Sequence, residues 1–359
     1  MFEFLNTWLA NGGFWVAIPL IILGCAALIK GADWLVDGAS ALAKKYGVSD
    51  IVIGLTVVAF GTSMPEFVVN MVAVGQGSTE IAITNVLGSN IINIFVILGF
   101  TALIYPISSQ KSTRRFDIPF SLLAALLVLL FAVYNSPSWL QIEHIFNMNI
   151  ADPTLHDLGS IQMGRGNGGF ISGVGGSILL IFFLLFLWHN FKGIGSAPQT
   201  ESNEEYKPMS ARRALALIVG GLVGLVVGGE LIVKSATSIA QSLGVSDAII
   251  GLTVVALGTS LPELATSCMA AFKKNCDIAL GNVIGSNLFN IFFILGTSAC
   301  VKALPGYHGL ETDAMMAALG SIFVMLFVYL TKKHEIKRWH GAILLLTYAA
   351  YLAYRIITL

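Results

Sequence analysis

The sequence predicts an all-α polytopic membrane protein, with ten transmembrane helices in two inverted-topology five-helix repeats. Composition, the placement of basic residues and an internal duplication carry that prediction. Hydrophobic residues make up 56% of the 359 residues and charged residues 11%, whereas a soluble chain carries about a quarter charged residues. Mean hydropathy is +0.81. This composition excludes a water-soluble globule.

A bilayer-spanning helix needs roughly 20 mostly apolar residues. Ten apolar segments emerge, near 14–43, 48–73, 79–105, 117–134 and 170–190 in the first half. The second half has them near 211–240, 245–271, 277–303, 314–331 and 339–357. Basic loops stay on the cytoplasmic side. With the N-terminus outside, the inner loops and span ends hold fifteen Lys and Arg residues, and the outside keeps only Arg165, Lys234, Lys302 and Arg355. The asymmetry predicts ten spans in the cytoplasmic membrane with both termini outside. The stretch "FWVAIPLIILGCAALIKGADWLV" lacks a basic n-region before it and a small-residue cleavage site, so it reads as a retained first helix. The formal net charge is zero, which offers no footprint for nucleic acid. Cys25, Cys268, Cys276 and Cys300 show no paired spacing and read as packing residues.

Shifted by 197 residues, Gly31–Phe100 aligns with Gly228–Thr297 without a gap, and 34 of 70 positions are identical. Five spans separate the copies, and an odd number inverts the second relative to the first. Inverted repeats in transporters place the substrate site near the bilayer midplane, where the repeats meet. The halves are residues 1–192, with an external insert at 135–169, and residues 211–359. Residues 193–210 form a short polar cytoplasmic linker between them, carrying "TESNEEY".

Each copy carries an acid inside an apolar run. Gly54–Phe67 reads "GLTVVAFGTSMPEF" and Gly251–Leu264 reads "GLTVVALGTSLPEL". A carboxylate at mid-span costs at least a few kcal/mol, so Glu66 and Glu263 read as functional. Pro65 and Pro262 lack an N–H and push against the carbonyl four residues back. The helix is expected to open over Ala59–Ser63, and at the matching residues around Gly258, leaving carbonyls unpaired. Such backbone is tolerated at membrane depth only inside protein or beside water. In the following span, Asn85, Ser89 and Asn93 recur every four residues and share one helix face. Asn282, Ser286 and Asn290 repeat the pattern. Carbonyls, hydroxyls, amide oxygens and two carboxylates make a hard-cation site suited to Ca²⁺, which takes roughly 6–8 oxygens, and to Na⁺. Competition for one pair of carboxylates is a physical basis for exchange.

Small-residue runs such as Gly220–Gly229 ("GGLVGLVVGG") read as close-packing surfaces. Asp33, Asp37 and Glu230 admit two readings, the wall of an ion path or ion pairing with Lys30.

The pairs "GTSMPE"/"GTSLPE" and "GSNIINI"/"GSNLFNI" resemble those of the calcium/cation antiporter family, most closely its prokaryotic sodium/calcium exchanger branch. The resemblance covers both halves. It implies Ca²⁺/Na⁺ exchange by alternating access, with Glu66 and Glu263 binding both ions. It carries over Thr62, Ser63, Thr259 and Ser260 from the motif, the carbonyls of Ala59 and Ala256, the serines Ser89 and Ser286, and Asn93 and Asn290. Some family members carry Asp at one or both of the last two positions; here both are Asn. The large cytoplasmic regulatory domain of animal relatives is missing.

The expected ligands are Ca²⁺ and Na⁺, with H⁺ or K⁺ as other coupling ions. The bilayer is the surrounding medium, and neither a cofactor nor an obligate protein partner is expected. A Ca²⁺/H⁺ exchanger on the same scaffold is the alternative, in which protonation of the two glutamates replaces Na⁺. A passive cation channel would need a continuous pore. An enzyme would need a nucleophile–base pair or a metal triad, and the sequence offers neither at membrane depth.

Overall fold

The computed structural model describes residues 3–134, 170–192, 209–243, 256–307 and 309–358. The external insert and all but the last two residues of the linker lie outside them, as does the first half of the seventh span.

The chain opens with a 44-residue helix, α1 (Glu3–Tyr46), which starts eleven residues before the expected span. A helical segment α2 (Asp50–Thr62) and α3 (Met64–Gly75) follow, bent by 46° at a one-residue break. Then come α4 (Thr79–Ile104), the short α5 (Lys111–Arg115), α6 (Asp117–Tyr134) and α7 (Gly173–Lys192). The second half holds α8 (Ala211–Ser242), α9 (Ala256–Thr259), α10 (Leu261–Phe272), α11 (Cys276–Val301), α12 (Leu310–Leu330) and α13 (Arg338–Thr358). Among the described residues, eight helices are long and apolar enough to cross a membrane, and the bent α2–α3 pair makes a ninth. The tenth is the copy of that pair, of which α9 and α10 are described. The fold is therefore the expected ten-helix inverted repeat.

The third span of each half forms the centre. In its most apolar stretch α11 is 94% buried and α4 78%, against 22% for α1. Both central helices widen into π-turns, at Asn93–Leu98 and Phe289–Leu295, and α2 does so at Gly54–Val58. An inserted residue of this kind rotates the helix face beyond it and is frequent at functional sites.

Outside the core, α1 and α8 run antiparallel along each other. A Cβ on Gly31 would sit 2.8 Å from the Gly221 carbonyl, one on Gly24 2.9 Å from that of Gly228, and one on Gly38 2.7 Å from that of Ala214. The Gly220–Gly229 run is thus a close-packing surface, as its composition implied. Gly24, Gly31 and Gly38 of α1 recur every seven residues, which keeps them on one face toward α8.

Among the described residues, two strand pairs tie the halves together. Strand β1 (Ile107–Ser108) leaves the third span and pairs antiparallel with β4 (Glu335–Ile336), just before the tenth. Strand β2 (Phe170–Ile171), before the fifth span, pairs with β3 (Leu304–Pro305), which leaves the eighth. Since β1 and β3 are 197 residues apart, the two clasps are repeat-related, and each joins one half to the other. A buried cluster also fixes α12 against α13. Asp313 accepts from Tyr307 Oη at 2.5 Å and Tyr351 Oη at 2.8 Å, and pairs with Arg355 at 3.4 Å. Burial and the neighbouring Asp313 carboxylate push the Tyr307 phenol well above its usual range, so it remains a donor at physiological pH.

Candidate cation site

The helix breaks fall at Ser63 (φ −86°, ψ 7°) and Ser260 (φ −89°, ψ 4°). Each is followed by a helix whose second residue is Pro and whose third is the motif glutamate. Pro is well placed there, because its missing N–H is one the first turn would leave unpaired. The helix dipole also favours a carboxylate in the first turn. The lack of an N–H on Pro65 and Pro262 takes the helical donor from the carbonyls of Gly61 and Gly258.

The opening is narrower than the sequence suggests. Ser63 N–H still donates to the Ala59 carbonyl at 3.0 Å, and Thr62 Oγ1 donates to it at 3.3 Å. The expectation of an unpaired carbonyl at Ala59 is therefore corrected, since the helix stays bonded up to Ser63. Ala256, its counterpart, is the first residue of α9.

Glu66 and Glu263 are both fully buried, and hydroxyls link them across the repeats. Ser63 Oγ donates to Glu263 Oε1 at 2.9 Å, from one half to the other's acid. Ser89 Oγ donates to Glu66 Oε1 at 3.4 Å and lies 3.2 Å from Ser260 Oγ. Thr259 also faces Glu66, while Thr62 and Ser286 face Glu263. Thr62 Oγ1 bonds to Asn282 Oδ1 at 3.1 Å. The proline-broken helices thus bring the two acids to one place, as their matching contexts predicted.

An asparagine frame holds this cluster. Asn90 Nδ2 donates to the Asn287 carbonyl at 3.2 Å, and Asn287 Nδ2 returns the bond to the Asn90 carbonyl at 3.4 Å. Asn93 Nδ2 donates to Asn287 Oδ1 at 3.0 Å, and Asn290 Nδ2 to Asn90 Oδ1 at 3.1 Å and Ser89 Oγ at 3.2 Å. Further out, Asn85 Nδ2 reaches the Glu66 carbonyl at 3.4 Å and Asn70 Oδ1 at 2.7 Å. Its copy Asn282 reaches the Glu263 carbonyl at 3.2 Å and Ser267 Oγ at 2.9 Å. Asn90, Asn287, Asn70 and Ser267 are not among the ligand positions that the motifs single out. A signal existed for all four: each is polar at a position whose copy 197 residues away is also polar.

The donors of the frame are spent on protein, and several acceptors are not. Glu66 Oε2, Glu263 Oε2, Asn93 Oδ1, Asn290 Oδ1 and Ser286 Oγ are buried without a hydrogen-bond partner. An unsatisfied buried polar group typically costs about 1–3 kcal/mol, more when charged. Five such oxygens in one cluster, two of them on acids, form a surface complementary to a cation. Among the described residues no three His, Cys, Asp or Glu side chains gather in one group. Two carboxylates are therefore the charged groups of this cluster, and its other free acceptors are neutral oxygens. That donor set suits a hard ion and excludes a thiolate or imidazole centre.

The outer acids of α1 are paired. Lys273 Nζ sits 2.7 Å from Asp33 and 2.6 Å from Asp37, while Lys30 reaches Asp33 at 3.5 Å. Glu230 pairs with Lys234 one turn along α8, at 3.1 Å. Of the two readings open for these residues, ion pairing is the one the contacts support, with Lys273 rather than Lys30 as the main partner.

Comparison with known proteins gives a consistent picture. The family model described as "Sodium/calcium exchanger protein" matches residues 16–192 and 213–357. The sodium/calcium exchanger MaX1 of Methanosarcina acetivorans is 34% identical over 354 residues, covering 93% of this chain and 96% of that protein. The inner membrane protein YrbG of Escherichia coli is 32% identical over 293 residues, 81% of each chain. Among solved structures, the sodium-calcium exchanger NCX_Mj soaked with Na⁺ and Sr²⁺ matches with a TM-score of 0.75 at 32% identity, covering 94% of this chain and 98% of that one. The same exchanger soaked with Na⁺ and Ca²⁺ matches with a TM-score of 0.74 at 30% identity.

Proposed function

This chain belongs to the sodium/calcium exchanger family, and we infer from that membership and from its oxygen cage that it exchanges Ca²⁺ for Na⁺ across the membrane by alternating access. The observation that carries the site assignment is the set of buried acceptors on Glu66, Glu263, Asn93, Asn290 and Ser286 that no protein donor satisfies.

Glu66 and Glu263 are the central ligands and supply both negative charges. The hydroxyls of Ser63, Ser260, Ser89 and Ser286, the amide oxygens of Asn93 and Asn290, and carbonyls at Ala59, Thr62, Ala256 and Thr259 complete the shell, Ala59 through the lone pair its helical bond leaves free. The asparagine Nδ2 groups hold the frame and leave the oxygens to the ion. One Ca²⁺ or two Na⁺ neutralise the pair, so the two ions compete for the same atoms.

The coupling follows from electrostatics. Each buried charge costs several kcal/mol when it is not compensated. The bare pair therefore resists enclosure away from water, and a loaded, neutral pair does not. Only the loaded protein crosses between its two faces, and that restriction makes the movement an exchange rather than a leak. The glycine-lined seam between α1 and α8 has small side chains on both faces, which suits the sliding of these helices during the switch.

The placement of Lys and Arg supports a cytoplasmic-membrane protein with both termini outside, exporting Ca²⁺ against inward Na⁺. Radiolabelled Ca²⁺ flux in proteoliposomes, with Na⁺, K⁺ and pH gradients set independently, tests the reading. An outward Na⁺ gradient should drive Ca²⁺ uptake with the proton gradient collapsed. Flux that follows only the pH gradient, or that needs no counter-ion, would overturn it.

A further inference from the structure

We propose that the groove between the end of α12 and the start of α13 is a binding site for one anionic glycerophospholipid, far in sequence from the motif glutamates and separate from the cation cage. The groove has a volume of about 690 Å³. Its inner wall is apolar, built by Phe327, Leu326 and Leu330, and Leu330 is 78% exposed. The helices flanking it are apolar enough to span a membrane, so the medium that meets this wall is lipid.

The rim has the opposite character. Lys332, Lys333 and Lys337 line the same groove and are exposed. Glu335 is the one acid beside them, so the rim carries a net positive charge. Arg338 is committed elsewhere, donating to the Ile104 carbonyl at 3.2 Å. Trp339 stands between wall and rim, 57% exposed. Trp is enriched at the headgroup level of a bilayer, where its ring meets both media. Clustered lysines at a helix end attract anionic headgroups.

His340 adds a built polar contact inside the groove. It is 2% exposed and stacks flat on Phe327, ring centroids 4.1 Å apart. Its Nδ1 accepts the Lys337 backbone N–H at 3.0 Å. Accepting there leaves the ring proton on Nε2. That nitrogen is a donor on the groove wall with no protein acceptor among the described residues. An acyl chain against Leu326 and Leu330, and a phosphate between the lysines and His340, match the apolar wall and the basic rim of the groove.

Native mass spectrometry of the full chain in detergent, titrated with phosphatidylglycerol and separately with phosphatidylcholine, tests this. The wild type should retain one phosphatidylglycerol in clear preference. The K332Q/K333Q/K337Q variant should lose that preference on the order of 100-fold, about fivefold per lysine. L326W/L330W, which fills the wall without touching the charges, should lose retention of both lipids at the site. Equal binding of the two lipids by the wild type, an unchanged preference in the lysine variant, or unchanged retention in the tryptophan variant would each overturn the proposal. Millimolar inorganic phosphate should fail to displace the lipid; displacement would reassign the rim to free phosphate and overturn it too. These readouts are independent of ion exchange.

Discussion

Replacing Glu263 with Gln keeps the size of the side chain and removes one of the two charges in the cage. A divalent ion about 4 Å from a carboxylate, at an effective dielectric constant near 20, gains about 8 kcal/mol of direct attraction. The net loss is smaller, because the charge no longer has to be desolvated and Gln keeps one amide oxygen. Removing one partner of a buried charge pair costs about 3–5 kcal/mol, which is a loss of roughly 10²- to 10⁴-fold in Ca²⁺ affinity. The fold should not suffer. Glu263 receives one cross-repeat bond, from Ser63 at 2.9 Å, and the Gln oxygen can accept it. Without ions the variant should be as stable as the wild type or more so, since one of two buried like charges is gone. The assay pairs ⁴⁵Ca²⁺ uptake in Na⁺-loaded proteoliposomes with thermal melting at increasing Ca²⁺. At a hundredfold excess over Kd the wild type gains about 2.7 kcal/mol from the ligand, and the variant should gain almost nothing at the same concentration. Uptake within about threefold of the wild type, or an undiminished Ca²⁺-dependent rise in Tm, would refute the role given to this acid.

Asn290→Asp removes the amide that donates to Ser89 Oγ and Asn90 Oδ1 and adds a charge to the cage. The ion-free protein should lose about 1–3 kcal/mol, and the curve for Na⁺ competition against Ca²⁺ flux should shift; an unmoved curve would place Asn290 outside the shell. Gly31→Val presses a branched side chain against backbone, since even a Cβ there lies 2.8 Å from both the Gly221 carbonyl and the Leu225 nitrogen. Overpacking of this kind costs about 1–3 kcal/mol, and flux per folded molecule should fall sharply, so a variant with normal Tm and normal flux would show that the α1–α8 seam bears no load in transport.

Much of the fold could be read from the chain because its strongest signals are local. Span boundaries follow apolar runs, and α6 (Asp117–Tyr134) falls on the expected segment. The acids stood out for a physical reason: Glu66 and Glu263 break an apolar run twice, each beside a proline. Signals that depend on residues far apart in sequence were weaker. The partner of Asp33 and Asp37 is Lys273, more than 230 residues away, and proximity in sequence pointed to Lys30. The strand clasps are two residues each, too short to show a period of two. The π-turn that begins at Asn93 leaves no mark in the residue spacing, because a recurrence every four residues assumes a regular helix. The Ala59 carbonyl shows the same limit, because proline chemistry identifies the lost donor at position 65 and not how far the helix keeps its other bonds.

The duplication also separates what is fixed in the cage from what is free to change. The frame obeys the twofold relation. Asn90 and Asn287 exchange matching bonds, and Asn85 and Asn282 each hold the carbonyl of their own glutamate. Thr62 and Thr259 obey it too, each facing the acid of the other half, but Ser63 and Ser260 do not. Ser63 bonds to Glu263, yet its copy Ser260 meets Ser89 rather than Glu66. Asn290 donates to Ser89, yet Asn93 makes no copied bond to Ser286 Oγ. A duplicated sequence held in one conformation needs such unequal contacts somewhere if the site is to face one side at a time. Here the inequality sits on the contacts of Ser63, Ser260 and Ser89 around the acids and not on the Asn90–Asn287 pair that joins the halves. The mirrored pairing would use the same residue types at these positions, so these contacts could form in either arrangement. The frame need not be rebuilt to pass between them.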